Sequence, residues 1–340
     1  MLDKIRKLSI EASERNRKNP DTAERMHEAE KGQTPRFLVI SPINRSAQDL
    51  QLFQFGQGDA FHATRVPGFP LLSPELSTHL FAAPAAYNHQ FPNRTGVIIT
   101  FEKDELPENI RESVESVAKH PDIDDIPIIA LRVDYDTARV RLVPHRFGRA
   151  YELENYILKR LSRPDVLDTN TLIVICSDSR LIPPTTPKGV PMAIQTLGAH
   201  IPHYDENSEE SVQLNEFFKN WLSNETIERR IIVVVHGNFE GDGHSCGAGY
   251  ASLHPDIVQG SFLERIVEEL NEDAAQVESH QPGSPEERVI AIGTATLKNI
   301  KTYPGVQEAI KRGADHEEFL RVLEMDTVTN VVSPYEIGSL

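Results

Sequence analysis

The stretch TLIVICSDSRLIPP, Thr171 to Pro184, ends an apolar run in a cysteine, then sets an aspartate two residues on and an arginine four residues on. The chain has only one other cysteine, Cys246. TLIVIC is short, rich in β-branched residues and closed by polar ones, which is the habit of a strand buried on both faces of a parallel sheet. Ligands of open parallel sheets gather outside the carboxyl ends of the strands. Cys176, Asp178 and Arg180 therefore fall where chemistry is expected.

Similar runs recur at RFLVIS (36–41), GVIIT (96–100), IPIIALRV (126–133), IIVVVH (231–236) and RVIAIG (288–293). Between them PENIRESVESVAKH (107–120), SVQLNEFFKNWL (211–222) and SFLERIVEEL (261–270) carry apolar residues at helical spacing. This alternation predicts an α/β fold with mostly parallel sheets flanked by helices. HQPGSPEE (280–287) reads as a loop by composition. The tail from Val306 reads as helical to about Glu324 and extended beyond, without an interpretable motif.

The pattern also repeats. PRFLVISPINRSAQ aligns with NTLIVICSDSRLIP, setting Ser41 opposite Cys176 and Arg45 opposite Arg180. GDAFHATRVPGF (58–69) then faces VPMAIQTLGAHIP (190–202), and Thr100 faces His236. IIALRV is matched with VIAIGT as the third strand of each half. Internal self-similarity of this kind predicts two tandem units, residues 1–145 and 146–340. Residues 1–32, charged with both signs and interrupted by Pro20, read as a helical arm or a disordered one, and YELENYILKRL (151–161) would be the corresponding helix of the second unit.

Composition narrows the functions. At 340 residues with 39% apolar content the chain can fill two cores. Its net charge of −16 repels phosphate, which argues against nucleic acid or an anionic membrane surface as a partner. No apolar run is long enough to span a bilayer, and the charged N-terminus does not read as a secretory signal, so a cytoplasmic location is expected. Two cysteines in a chain of this size make no disulfide framework.

Both cysteines lie in the second unit, each beside a strand's carboxyl end. The strand ending at His236 runs into GNFEGDGHSCGAG, a glycine-rich loop that can fold back on the sheet. Cys176, His236 and Cys246 brought together would be two thiolates and an imidazole, a tetrahedral zinc site with one position open, as catalysis requires. Two inert buried cysteines are the plainer alternative. Asp178 and Arg180 argue against it, because a carboxylate held by a guanidinium suits hydrogen bonding beside such an ion. The glycine-rich loop fits neither a Walker lysine pattern nor a dinucleotide fingerprint.

These residues resemble the β-class carbonic anhydrases: CSDSR ends an apolar strand, and sixty residues later a second strand ends in His236 before a CGA turn at Cys246. The Cys-x-Asp-x-Arg half of that signature is intact. The second half departs from it, since the family has His-x-x-Cys, whereas here His236 lies ten residues before Cys246 and His244 two. His236 holds the family's position after the strand, and the carboxysome-shell subgroup is similar in its long intervening loop. His236 is therefore the expected ligand and His244 the alternative.

The first unit resembles the same family without its metal. EKGQTPRFLVIS is similar to the segment leading into the family's first strand, and GQGDAFHATR to its Pro-Gly-Glu-Ala-Phe turn, but Ser41, Ile43 and Thr100 replace the cysteine, aspartate and histidine. In the family the site forms at a dimer interface, lined by a glutamine and a phenylalanine of the opposite subunit. Gln33 and Phe61 match these, while the second unit has Leu167 and Ile194 at about those places.

The resemblance thus implies two β-carbonic-anhydrase-like units packed as an intramolecular pseudo-dimer with one site. It implies reversible hydration of CO₂ to bicarbonate by a zinc-bound hydroxide, with Asp178, Arg180, Gln33 and Phe61 as catalytic groups and Zn²⁺ on Cys176, His236 and Cys246. His200, His203 and His244 are candidate proton shuttles. The family scaffold also admits a carbonyl sulfide or carbon disulfide hydrolase, or a non-catalytic scaffold protein. It further allows a homodimer of pseudo-dimers and a place in a carbon-fixing assembly or compartment.

Overall fold

The computed structural model of the protein describes residues 1–335 except 77–78, 80–81, 92–93, 124–125, 148–149, 225–226, 238–245, 278–283 and 315–317. Two five-stranded sheets organise it. The first holds β1 (Phe37–Pro42), β2 (Ala60–Arg65), β3 (Gly96–Glu102), β4 (Ile128–Asp134) and β5 (Arg139–Leu142), in the order β2-β1-β3-β4-β5. The second holds β6 (Leu167–Cys176), β7 (Val190–Thr196), β8 (Arg230–Gly237), β9 (Leu320–Asp326) and β10 (Val332–Pro334), in the order β7-β6-β8-β9-β10. Each has four parallel strands and an antiparallel fifth. The two sheets therefore share one strand order. β1 and β8 are buried at every residue, which explains why their sequences lack alternation.

The helices interlock the two units. The first sheet is flanked in sequence by α1 (Leu2–Lys18), α2 (Pro20–Glu30), α3 (Ser46–Leu52), α4 (Ala82–Gln90) and α5 (Pro107–Ala118). The second has α6 (Tyr151–Leu158), α7 (Glu209–Leu222), α8 (Gly247–Leu253), α9 (Leu263–Ala275), α10 (Pro285–Ile300) and α11 (Pro304–Ala309). Yet α1 places Ile5 against Ile173, Ile175 and Val234 of the second sheet. In exchange, α6 places Leu153 and Ile157 against Phe37, Val39 and Ile98 of the first. α9 also crosses, its Leu263, Val267 and Leu270 packing with Ile40, Phe61 and Ile99. Each such fully buried side chain stabilises the interlocked form by about 1.5–3 kcal/mol. The sheets meet along β2 and β7, where the Gln195 N–H donates to Thr64 Oγ1 at 3.1 Å. Nearby, the Ala193 N–H donates to the Ile43 carbonyl at 3.0 Å.

Three expectations are corrected. RVIAIG is not a strand but the middle of α10. Ser284 caps that helix by accepting from the Glu287 N–H at 3.2 Å, and Pro285 takes its first turn, so the end of HQPGSPEE is helix rather than loop. The run VIAI is apolar all round because α10 is buried among neighbours on most sides. Its Gly293 lies so close to β8 that a Cβ there would sit 2.2 Å from Val235 Cγ1. The second unit's counterpart of IIALRV, the place given to VIAIGT, is instead β9, inside the tail read as helical to Glu324; the described tail is helical only through residue 314. Among the described residues no helix is long and apolar enough to cross a membrane.

Candidate metal centre

β6 ends at Cys176 and β8 reaches His236 on the face that also carries Ile175 and Val234, while Cys246 stands at the start of α8. The ligand atoms of Cys176, His236 and Cys246 all lie within 4.8 Å of one another, and all three residues are buried. Among the described residues no other group of His, Cys, Asp or Glu side chains converges in this way. The two Sγ atoms are 3.9 Å apart, against the roughly 3.8 Å that two 2.3 Å Zn–S bonds subtend at a tetrahedral angle. His236 turns Nδ1 to Thr327 Oγ1 at 3.1 Å, and its Nε2 is a buried nitrogen without a hydrogen-bond partner. A buried lone pair aimed at two sulfurs is what a soft cation would satisfy. His244, the alternative ligand, lies outside the described residues.

The thiols are electrostatically unequal. The hydrogen bond with Cys246, together with burial, pushes the Cys176 thiol well up. The contact from Cys176 lowers Cys246 against its own burial, helped by the Gly249 and Ala248 N–H groups. Binding a divalent ion would displace the proton held between them. Gly198, left-handed at φ 65°, donates its N–H to Cys176 Sγ at 3.3 Å.

Asp178 and Arg180 form a closed clasp. Arg180 Nη2 donates to Asp178 Oδ2 at 2.6 Å, its Nε to Oδ1 at 3.0 Å, and its backbone N–H to Oδ1 at 2.9 Å. Burial alone would raise the Asp178 carboxyl, but the guanidinium more than offsets it and holds it below the usual carboxylate range. Asp178 Oδ2 lies 4.0 Å from His236 Nε2, beside the converging donors rather than among them.

The first unit completes the surroundings. A narrow cavity of about 30 Å³ is lined by Cys176 and Asp178 together with Gln33 and Phe61. That is room for one or two water-sized molecules. Its remaining wall is largely apolar, including Leu197, Val267 and Leu270. Gln33 Oε1 accepts from the Ser179 N–H at 3.3 Å, which leaves the amide nitrogen on the side of Gly247, another lining residue. Leu167 and Ile194 line no part of it; Ile194 is a core residue of the second unit and Leu167 packs beside it.

In the first unit, Ser41 and Thr100 converge on a carboxylate. Asp49, fully buried, accepts from Ser41 Oγ at 2.6 Å, Thr100 Oγ1 at 2.5 Å and Tyr135 Oη at 2.7 Å.

Among the described residues no histidine lines the cavity. His200 is buried, its Nδ1 3.0 Å from His79 Nδ1 and its Nε2 2.8 Å from Asp273 Oδ2, while His79 Nε2 bonds Glu269. His203 is exposed, its ring on the Tyr204 carbonyl. Sequence reasoning did not find His79, Gly198 or Thr327. Gly198 alone left a trace, as the glycine of LGAH just past a strand; Thr327 reaches His236 only because β9 pairs with β8.

Fold and donor set together define an α/β protein with a candidate Cys-His-Cys metal centre. Solved structures similar to the chain include the β-carbonic anhydrase CcaA, at 22% identity over 55% of this chain and 87% of that one, with a TM-score of 0.37. A tetrameric β-carbonic anhydrase of Sordaria macrospora overlaps at 19% identity, 50% and 82% coverage, and a TM-score of 0.34. The β-carbonic anhydrase CafA of Aspergillus fumigatus does so at 17%, 56% and 83%, also with 0.34. No family model and no curated protein matches the chain.

Proposed function

We propose that the protein is a zinc-dependent carbonic anhydrase of the β-class type, hydrating CO₂ reversibly to bicarbonate at one site built by both units. One observation carries this reading: the only two thiols of the molecule, 70 residues apart in the chain, meet an unpartnered imidazole nitrogen beside the Asp178–Arg180 clasp. Zinc held by Cys176, His236 and Cys246 would supply Lewis-acid activation of water at neutral pH.

The other residues act around it. Asp178, kept ionised by Arg180, accepts the hydrogen of the attacking water and so aims its lone pair at the carbon of CO₂. Arg180 holds that carboxylate away from the sulfurs. Gln33, its oxygen engaged by Ser179, offers its amide N–H to a substrate or product oxygen. Phe61 and the leucines of the wall make the cavity favourable for apolar CO₂. The narrow cavity and the net charge of −16 fit a small neutral substrate rather than a nucleic acid.

The test is zinc content per chain combined with stopped-flow CO₂ hydration. One zinc per chain and activity abolished by a chelator are expected. Fully zinc-loaded protein without hydration activity at pH 8 would overturn the enzymatic reading.

A further inference from the structure

The turn joining β9 to β10, Asp326–Asn330, belongs to no motif. It nevertheless touches two of the three chain segments that bring donors to the metal centre, those of His236 and Cys176. Thr327 is fully buried and its Oγ1 is 3.1 Å from His236 Nδ1. Parallel pairing sets His236 opposite Met325 and Gly237 opposite Asp326, so Thr327 follows directly, its N–H donating to the Gly237 carbonyl at 3.1 Å. Three residues on, Asn330 donates to the Arg180 carbonyl at 3.0 Å and accepts from the Ile182 N–H at 2.8 Å.

The turn is itself seated from the first unit. Gln57 Nε2 donates to the carbonyls of Thr327 and Val328, each at 2.9 Å. Asp326 Oδ1 closes the turn from within by accepting from the Thr329 N–H and hydroxyl, each at 2.7 Å. Next to Gln57, the Gly58 N–H donates to the Ser179 carbonyl at 2.7 Å.

A hydroxyl can donate or accept, so the contact with Thr327 does not by itself assign the imidazole tautomer. The other nitrogen decides it. A hydrogen on Nε2 would point among the Cys176 and Cys246 sulfurs, where an ion held by them would sit, and would remove the lone pair that ligation needs. With the hydrogen on Nδ1, Thr327 Oγ1 accepts it and Nε2 presents a lone pair to the two sulfurs. Partners of this kind fix ligand orientation and raise ligand basicity.

We propose that Thr327 is a positioning residue that holds His236 in the Nδ1–H tautomer for metal binding, and that Gln57 of the first unit holds Thr327 in place. This rests on the zinc reading above.

The experiment compares the full-length protein with Thr327→Val, Thr327→Ser and Gln57→Ala. Zinc dissociation constants come from chelator competition and the visible spectrum from the cobalt-substituted protein. Thr327→Val should weaken zinc about tenfold to a hundredfold and shift the cobalt bands. Thr327→Ser should restore both. Gln57→Ala should weaken zinc in the wild-type background yet add little to Thr327→Val, as coupled positions do. Should Thr327→Val fail to fold, ¹⁵N-histidine spectra of metal-free wild type read the tautomer directly, and a proton on His236 Nε2 would overturn the proposal. So would wild-type zinc affinity and an unshifted cobalt spectrum in Thr327→Val. Wild-type protein that binds no zinc would instead sink the metal centre itself.

Discussion

Gln33 Oε1 accepts a hydrogen bond from the backbone N–H of Ser179, 146 residues further along the chain and between Asp178 and Arg180. A residue of the first unit thus reaches into the turn that carries the clasp of the second. Gln33→Ala removes both this tie and the amide donor facing the cavity. We expect kcat/KM for CO₂ to fall by about tenfold or more, while zinc content stays at the wild-type level. Unchanged kinetics in stopped-flow assays would show that the first unit gives the site nothing beyond support.

Cys176 sits at the meeting point of the three donors, so its replacement is the most direct trial of the centre. Cys176→Ser keeps the volume and removes the soft ligand. Zinc content should fall from one per chain to near zero, with thermal stability lowered because the bound ion stabilises the folded form by mass action. Full zinc retention in elemental analysis would remove Cys176 from the ligand set.

How much of this could be read from residues alone follows from distance in sequence. Cys176, Asp178 and Arg180 share one strand end, and His236 closes the next apolar strand, so local pattern sufficed to pick them. The helices α5, α7 and α9 were legible from apolar spacing. VIAI misled because a helix buried on most sides loses its periodicity and looks like a buried strand. β9 was hidden for the opposite reason: its Arg321 and Glu324 interrupt the apolar run where the strand is half exposed. Thr327 could not be found at all, because nothing in a lone threonine announces which strand its neighbours will pair with.

The Asp178 carboxylate is held by three N–H groups of Arg180's side chain and backbone and does not join the converging donors. Asp178→Asn therefore should leave zinc bound and impair only the orientation of the attacking water. Turnover should fall about tenfold to a hundredfold, the range typical of groups that act through hydrogen bonds around a metal. Undiminished turnover at full zinc occupancy would take Asp178 out of the reaction.

Asp49 supplies a pH test independent of the metal. Burial pushes its carboxyl up to about 6, although Ser41, Thr100 and Tyr135 donate to it and Arg45 stands near. An unfolded aspartate titrates near 3.9. The folded protein consequently binds this proton more tightly than the unfolded chain, so the group favours folding most at low pH, and that advantage is lost as pH rises through about 6. The whole effect is about 3 kcal/mol, of which about 2 kcal/mol falls between pH 4 and 7. Asp49→Asn cannot ionise and escapes this loss. Urea unfolding of both proteins at pH 4 and pH 7 should therefore show the stability difference shifting toward the variant by about 2 kcal/mol as pH rises. A difference that stays constant would mean that Asp49 is already ionised at pH 4 in the folded protein, with its three hydroxyl donors outweighing burial.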